Sequence, residues 1–201
     1  TTLADAIGMD ARIGRRFLNA GLGFGGGCLP KDIRAFMARA GELGVDQALT
    51  FLREVDAINM RRREKTVDLV RGSFGGSLLG HTVTVLGAAF KPYSDDVRDS
   101  PALSIAGSLS LAGASVSVYD PQAMENAKKN FPTLEYAPSI EAALEGSEMV
   151  VVATEWQQFR DIDPVAAKKL VKRAAVLDGR NCLPTDQWRA AGWDVTCLGR
   201  G

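Results

Sequence analysis

The chain has 201 residues, 46% of them hydrophobic, with 24 basic and 24 acidic side chains that cancel to zero formal charge. This content supports one large or two small globular domains with a substantial core, and nothing in the global charge points to nucleic acid or an acidic membrane surface as partner. Three cysteines and one histidine, with no CxxC pair, supply no zinc ligand set and fit a reducing, cytoplasmic compartment.

No apolar run approaches the roughly 20 residues of a membrane-spanning helix, and no signal peptide opens the chain. The first residue is Thr1, inside a stretch with helical character, so a longer parent protein is expected. Residues 1 to 20 read as short helices with Ile7, Met9, Ile13, Phe17 and Leu18 as apolar contacts. Arg12, Arg15 and Arg16 cluster just before the next segment, where a phosphate or plain solvent is their expected neighbour.

That segment, Gly21-Leu22-Gly23-Phe24-Gly25-Gly26-Gly27-Cys28-Leu29-Pro30-Lys31-Asp32, carries five glycines in seven residues and runs into a cysteine. So many glycines are costly to order unless the backbone must approach something closely. Pro30 suits the first turn of a helix, and Ile33, Phe36, Met37 and Ala40 follow at helical spacing to about Glu42. Cys28 is thereby expected at a helix entrance, where the helix dipole and Lys31 favour a thiolate. Asp32, one turn on, is placed to orient a water or take a proton. The alternative is a glycine-rich turn around an inert cysteine.

A second helix is expected over Asp46 to Arg71, with Ala48, Leu52, Val55, Ile58 or Asn59, Val67 and Val70 on one side. At 1.5 Å per residue it spans about 39 Å, the length of a helix that bridges domains or packs on a second copy. The run Arg61-Arg62-Arg63-Glu64-Lys65 reads as a solvated face. The Gly- and Ser-rich stretch Gly72 to Gly80 marks a boundary, dividing a helical region, 1–75, from a second domain, 76–201.

The second domain alternates. Strands are expected at Thr82–Gly87, Ser115–Tyr119, Leu134–Tyr136, Met149–Ala153, Ala174–Leu177 and Trp193–Leu198. Helices are expected at Pro101–Ala112, Gln122–Asn130, Ile140–Leu144, Pro164–Val171 and Thr185–Ala191. Repeated β-α units predict an α/β fold, a Rossmann-like, doubly wound parallel sheet, with ligands at the carboxyl ends of the strands.

The segment after the first strand, Gly87 to Ser100, lacks the GxGxxG pyrophosphate fingerprint and is long for a βα loop. Lys91 and Arg98 in it read as contacts for another anionic ligand. Asp120 stands where an acidic residue meets a ribose in a dinucleotide site, or forms a simple Asp-Pro turn. His81 reads as a surface residue without a partner, Cys182 and Cys197 as packing residues, and Arg180 as a weaker ligand candidate.

The run Arg16-Phe17-Leu18-Asn19-Ala20-Gly21 through Cys28-Leu29-Pro30-Lys31-Asp32, with Phe90-Lys91-Pro92 and Asp95-Asp96-Val97-Arg98-Asp99-Ser100-Pro101, resembles the UDP-glucose/GDP-mannose dehydrogenase family, and in particular its UDP-glucose 6-dehydrogenases. Gly27 stands where that family often has serine. The resemblance implies NAD-dependent oxidation of a sugar 6-hydroxyl to a carboxylate, through a thiohemiacetal and a thioester on Cys28, with Asp32 as the water-orienting or general-base carboxylate. It implies UDP-glucose held by Phe17, Leu18, Asn19, Ala20, Gly21, Gly25, Phe90 and Lys91, with Arg180 a further contact and Arg12 reaching a neighbouring subunit's site. Lys31 and Arg98 would touch NAD, and the long helix would form a homodimer. The family's GxGxxG domain lies upstream of this stretch, so the chain alone is expected not to turn over UDP-glucose. GDP-mannose or another nucleotide sugar as substrate, a non-catalytic nucleotide-sugar module, and a cysteine hydrolase or thiol transferase are the competing readings.

Overall fold

A computed structural model of the chain describes residues 1–199. Helix α1 (Thr2–Gly8) is followed by turns to residue 18 and by the extended, glycine-rich segment. Helices α2 (Leu29–Glu42) and α3 (Thr50–Ser73) complete the helical region. The sequence places the second helix from Asp46, but Asp46–Leu49 forms a separate 3-10 turn and the α-helix begins at Thr50.

Among the described residues six strands form one parallel sheet in the order β3-β2-β1-β4-β5-β6. They are β1 (Thr82–Leu86), β2 (Ser115–Tyr119), β3 (Glu135–Tyr136), β4 (Met149–Val152), β5 (Ala175–Asp178) and β6 (Asp194–Cys197). The intervening helices are α4 (Pro101–Leu111), α5 (Met124–Asn130), α6 (Ile140–Leu144), α7 (Gln157–Arg160), α8 (Pro164–Lys168) and α9 (Thr185–Ala190). The short α7 is the one element the sequence pattern misses. Chain direction across the sheet reverses between β1 and β4, so their carboxyl ends frame the switch-point crevice in which such sheets bind ligands.

Strand alternation divides the core in two. Val83, Val85, Val116, Val118, Met149 and Val151 face a core with Leu103, Ile105 and Leu109 of α4; Leu86, Val150, Val152 and Val176 face another with Phe159, Trp188 and Trp193. Continuous burial of β4 and β5 on both faces explains the unbroken apolar sequence of β4 and of the first three residues of β5, which ends on the buried Asp178. Val67 and Val70 of α3, and Leu22 from the glycine segment, belong to the first of these cores. The glycine segment and the end of α3 are therefore fixed to the sheet.

Of the apolar residues expected to pack near the amino terminus, only Leu18 is half-buried; the other four are exposed within this chain. Met9 is 86% and Phe17 95% exposed, and Ile7 and Ile13 are also exposed. Phe36, Phe51, Val55 and Ile58 add exposed apolar surface on α2 and the first half of α3. His81 is not partnerless: its Nδ1 lies 3.1 Å from Glu148 and its ring stacks on Phe74 at 4.2 Å. Glu148 precedes β4 and collects His81, the Thr82 N–H and Lys172 at the amino end of the sheet.

Candidate functional site at the carboxyl edge of the sheet

The loop from Gly87 to Ser100 is held from three sides. Asp120, 1% exposed, accepts from the N–H groups of Ala88, Ala89, Gln122 and Ala123 and from the Trp156 indole nitrogen. Ser100 caps α4 and donates to the Ala88 carbonyl at 2.6 Å, and Thr154 donates to the Ala89 carbonyl at 2.8 Å. With both its oxygens taken by five donors, Asp120 has no capacity left for a ribose hydroxyl. It is a scaffold residue, and the ribose role considered from sequence is excluded by geometry.

The glycines of 21–27 let this loop and its neighbours come close. A Cβ on Gly25 would strike the Asp99 carbonyl oxygen and one on Gly27 the Arg98 guanidinium, while Gly26 lies against the Phe90 ring. A Cβ on Gly21 would fall 2.5 Å from Arg180 Nη1. The Gly26 N–H donates to the Arg98 carbonyl at 2.8 Å, joining the two segments through their backbones. Asp99 itself has φ +46°, a left-handed conformation that non-glycine residues adopt at a cost.

Between the glycine segment, α3 and the strand ends lies an open cleft of about 950 Å³. It is lined by Phe17, Asn19, Gly21, Gly25, Cys28, Phe90, Lys91, Arg98 and Arg180 from the sequence-derived set. Cys28 is exposed and occupies the position just before α2. Lys91 Nζ lies 5.4 Å from the Phe90 ring centroid. Arg180, after β5, is 12% exposed and pairs with Glu155 at 2.6 Å, across the carboxyl ends of β4 and β5. Arg98 forks onto Asp96 at 2.7 Å, and this hydrogen bonding holds the Asp96 carboxyl below the ordinary carboxylate range.

Five residues of the set lie elsewhere. Leu18 and Ala20 line a smaller cavity of about 440 Å³ on the other side of Arg180, shared with Asn19 and Cys182. Lys31 and Asp32 pair with each other at 3.6 Å on the exposed first turn of α2. Arg12 is solvent-exposed and forks onto Asp10 at 2.6 Å, outside the cleft.

The site also uses residues that pattern-reading passes over. Arg62, Val55, Ile58, Asn59, Asp96 and Glu155 line the cleft. Asn59 Nδ2 donates to the Phe24 carbonyl at 3.0 Å and its Oδ1 accepts from the Phe24 N–H at 2.7 Å. Arg63, 5% exposed, bonds Asp99 Oδ1 at 2.9 Å and the Phe24 carbonyl at 3.2 Å. The Arg61–Lys65 run is thus not wholly solvated. The available signal was Asn59 sitting in the apolar register of the helix, since a buried polar side chain requires partners.

The two sides of the cleft correspond to two domains of one family. Residues 1–61 match the central domain of the UDP-glucose/GDP-mannose dehydrogenase family, and residues 84–185 match its UDP binding domain. The chain belongs to the UDP-glucose/GDP-mannose dehydrogenase family.

It is 38% identical over 199 residues to the UDP-glucose 6-dehydrogenase TuaD of Bacillus subtilis, covering 98% of this chain and 42% of that relative. It is 42% identical over 176 residues to the UDP-glucose 6-dehydrogenase AglM of Haloferax volcanii, covering 88% of this chain and 40% of that protein. Among solved structures, a UDP-glucose dehydrogenase from Pyrobaculum islandicum aligns with a TM-score of 0.81 at 36% identity, over 98% of this chain and 42% of that one. The chain therefore spans less than half the length of these relatives. Within the family's architecture, the cleft lies where the central domain's glycine segment meets the UDP binding domain's strand ends. Among the described residues no helix is long and apolar enough to cross a membrane, and no cluster of His, Cys, Asp and Glu is arranged to hold a metal ion.

Proposed function

We propose that this chain is the nucleotide-sugar-holding and nucleophile-bearing part of a UDP-glucose 6-dehydrogenase. One observation carries the reading: Cys28 opens onto the same cleft as Phe90, Lys91 and Arg180. A UDP group at the strand ends would set its phosphates toward the cations Lys91 and Arg180, with the sugar extending along the glycine segment to the thiol. Phe17, Asn19, Gly21 and Gly25 supply backbone and side-chain contacts along that path, and Leu18 and Ala20, which line the neighbouring cavity, would meet the nucleotide sugar only from the other side of Arg180.

In this reading Cys28 adds to the sugar C6 aldehyde to form a thiohemiacetal, so the aldehyde is retained. Loss of the C6 hydride, with the hydroxyl proton released to solvent, would turn the thiohemiacetal into a thioester. Water then attacks the thioester carbonyl, the C–S bond breaks, and the carboxylate leaves with the thiol restored. Asp32, one turn from Cys28, is the carboxylate assigned to orient that water, which requires its rotation away from Lys31.

The sheet crevice of this chain does not suit a dinucleotide, because Asp120 is saturated and the β1 loop has no GxGxxG. Lys31, exposed on the first turn of α2 three residues beyond Cys28, and Arg98, exposed on the cleft wall, are the side chains that would meet NAD. NAD, when bound, supplies the hydride acceptor for both oxidations.

UDP-glucose is favoured over GDP-mannose by the names and identities of the relatives at 36–42%. The exposed Phe36, Phe51, Val55 and Ile58 on α2 and α3 support a homodimer, in which Arg12 would approach a second copy's site. Calorimetric titration with UDP-glucose, UDP and GDP-mannose tests the assignment. UDP-glucose is expected to bind with Lys91→Ala weakening it about tenfold. Absence of UDP binding, or tighter binding of GDP-mannose, rejects it.

A further inference from the structure

The segment that carries Cys28 has little side-chain mass to hold it. Leu22 anchors it at one end, fully buried, and Pro30 is buried at the other. Between them Gly23, Gly25, Gly26 and Gly27 bring no side chains and Phe24 is only half-buried, while glycine loses more backbone entropy on ordering than any other residue. Apart from the Phe90 ring against Gly26, what fixes the middle is polar.

Two side chains of α3, one turn apart, supply it. Asn59 brackets the Phe24 peptide unit, bonding both its N–H and its carbonyl. Arg63 reaches the same carbonyl and also the carboxylate and carbonyl of Asp99, at 2.9 and 3.3 Å. Asp99 is in addition 3.7 Å from Arg34 of α2, which pairs with Asp56 at 3.1 Å. Arg63 is thus a buried side-chain link between the cysteine segment and the loop that carries Phe90, Lys91 and Arg98, beside the direct Gly26–Arg98 backbone bond. Neither residue touches the thiol. Asn59 lines the cleft, and Arg63 lies behind it.

We propose that Arg63 and Asn59 are positioning residues, holding the cysteine segment and the 87–100 loop as one unit so that a nucleotide sugar bound to the loop presents its C6 end to Cys28. The proposal rests on the nucleotide-sugar reading of the cleft. Removing the clamp separates the two halves of the site in function: the loop still binds nucleotide, and the thiol is no longer held against the sugar.

The test measures UDP affinity by calorimetry and the shielding of Cys28 from iodoacetamide by saturating UDP-glucose, with the labelled cysteine located by peptide mass spectrometry. It compares the unmodified chain with Asn59→Ala, Arg63→Met and Arg63→Lys. UDP affinity is expected to stay within about threefold in Arg63→Met, whose side chain lies behind the cleft, while shielding falls about fivefold or more in Asn59→Ala and Arg63→Met, the scale of one or two lost hydrogen bonds. Arg63→Lys, which keeps the charge without the fork, is expected to recover part of the shielding.

Full shielding in folded Asn59→Ala and Arg63→Met overturns the proposal. So does a parallel fall of shielding and UDP affinity by one common factor, which is what general loosening gives. If Arg63→Met does not fold, Asn59→Ala decides alone, because it removes only neutral hydrogen bonds. If the unmodified chain binds no UDP-glucose, the nucleotide-sugar reading fails separately. The clamp is then judged by the alkylation rate of Cys28 without ligand: a change of about fivefold between the unmodified chain and Asn59→Ala supports it, and equal rates reject it.

Discussion

The Asp120 carboxylate lies 3.1 Å from the Trp156 indole nitrogen, spanning the carboxyl end of β1 from the end of β2 to the end of β4. Under that bridge the Ala88 and Ala89 N–H groups donate to the same oxygen. Asp120→Asn replaces an acceptor that several donors share with an amide nitrogen that repels some of them. The expected loss is about 2–4 kcal/mol, from buried N–H groups left unpaired. Urea unfolding measures it, and UDP affinity should fall in parallel because Phe90 and Lys91 follow directly on Ala89. A loss below about 1 kcal/mol would show that water replaces the carboxylate at this position.

Much of this arrangement is legible before any coordinates. β-α alternation fixes the sheet, because buried parallel strands such as Met149–Val152 must be apolar on both faces and their helices must cover them. The glycine-cysteine segment is legible because five glycines have no cheap structural use. Arg63 and Asp120 are not legible in the same way. Each is a polar residue whose linking role depends on partners more than thirty residues away, Phe24 and Asp99 for Arg63 and Ala88, Ala89 and Trp156 for Asp120, and a local pattern reports only that a helix face or a turn is polar. The exposed Met9, Ile13 and Phe17 mislead in the opposite sense: hydrophobic character predicts contact, but not contact within the same chain.

The three thiols differ in accessibility, and alkylation should separate them. Cys28 is exposed, Cys197 is buried, and burial together with Asp178 pushes the Cys182 thiol up to about 12. Iodoacetamide at about pH 8 should therefore modify Cys28 first in the folded chain, with Cys182 and Cys197 reacting only on unfolding. Peptide mass spectrometry over a time course reads the order. Modification of Cys182 ahead of Cys28 would contradict the packing around β5.

Glu148 makes stability depend on pH at the opposite end of the sheet. A hydrogen bond from Lys172, then the Thr82 N–H and His81, lower its carboxyl from the ordinary 4.5 to about 2. Because the folded value is the lower one, the contribution is fully present above pH 4.5 and is lost as pH falls toward 2. The urea midpoint of Glu148→Gln should lie below that of the unmodified chain by a constant amount near neutrality, and the gap should shrink steadily through that acid window. A gap unchanged in acid would mean that shape, not charge, sets the effect.

Two alanine substitutions should move stability in opposite directions. At Gly25 a Cβ meets the Asp99 carbonyl oxygen and, at 2.8 Å, the Pro101 ring, both held by the cap of α4. The backbone cannot yield without breaking the Gly26–Arg98 hydrogen bond, so Gly25→Ala is expected to cost about 1–3 kcal/mol as overpacking does. At Gly41, in the last turn of α2, nothing lies within 4 Å of the new atom. There Gly41→Ala should gain up to about 1 kcal/mol from reduced unfolded-state freedom and better helix propensity. Thermal unfolding of the two variants side by side checks both signs. UDP-glucose shielding of Cys28 should be lost in Gly25→Ala and retained in Gly41→Ala, since only the first displaces the segment on which the thiol sits.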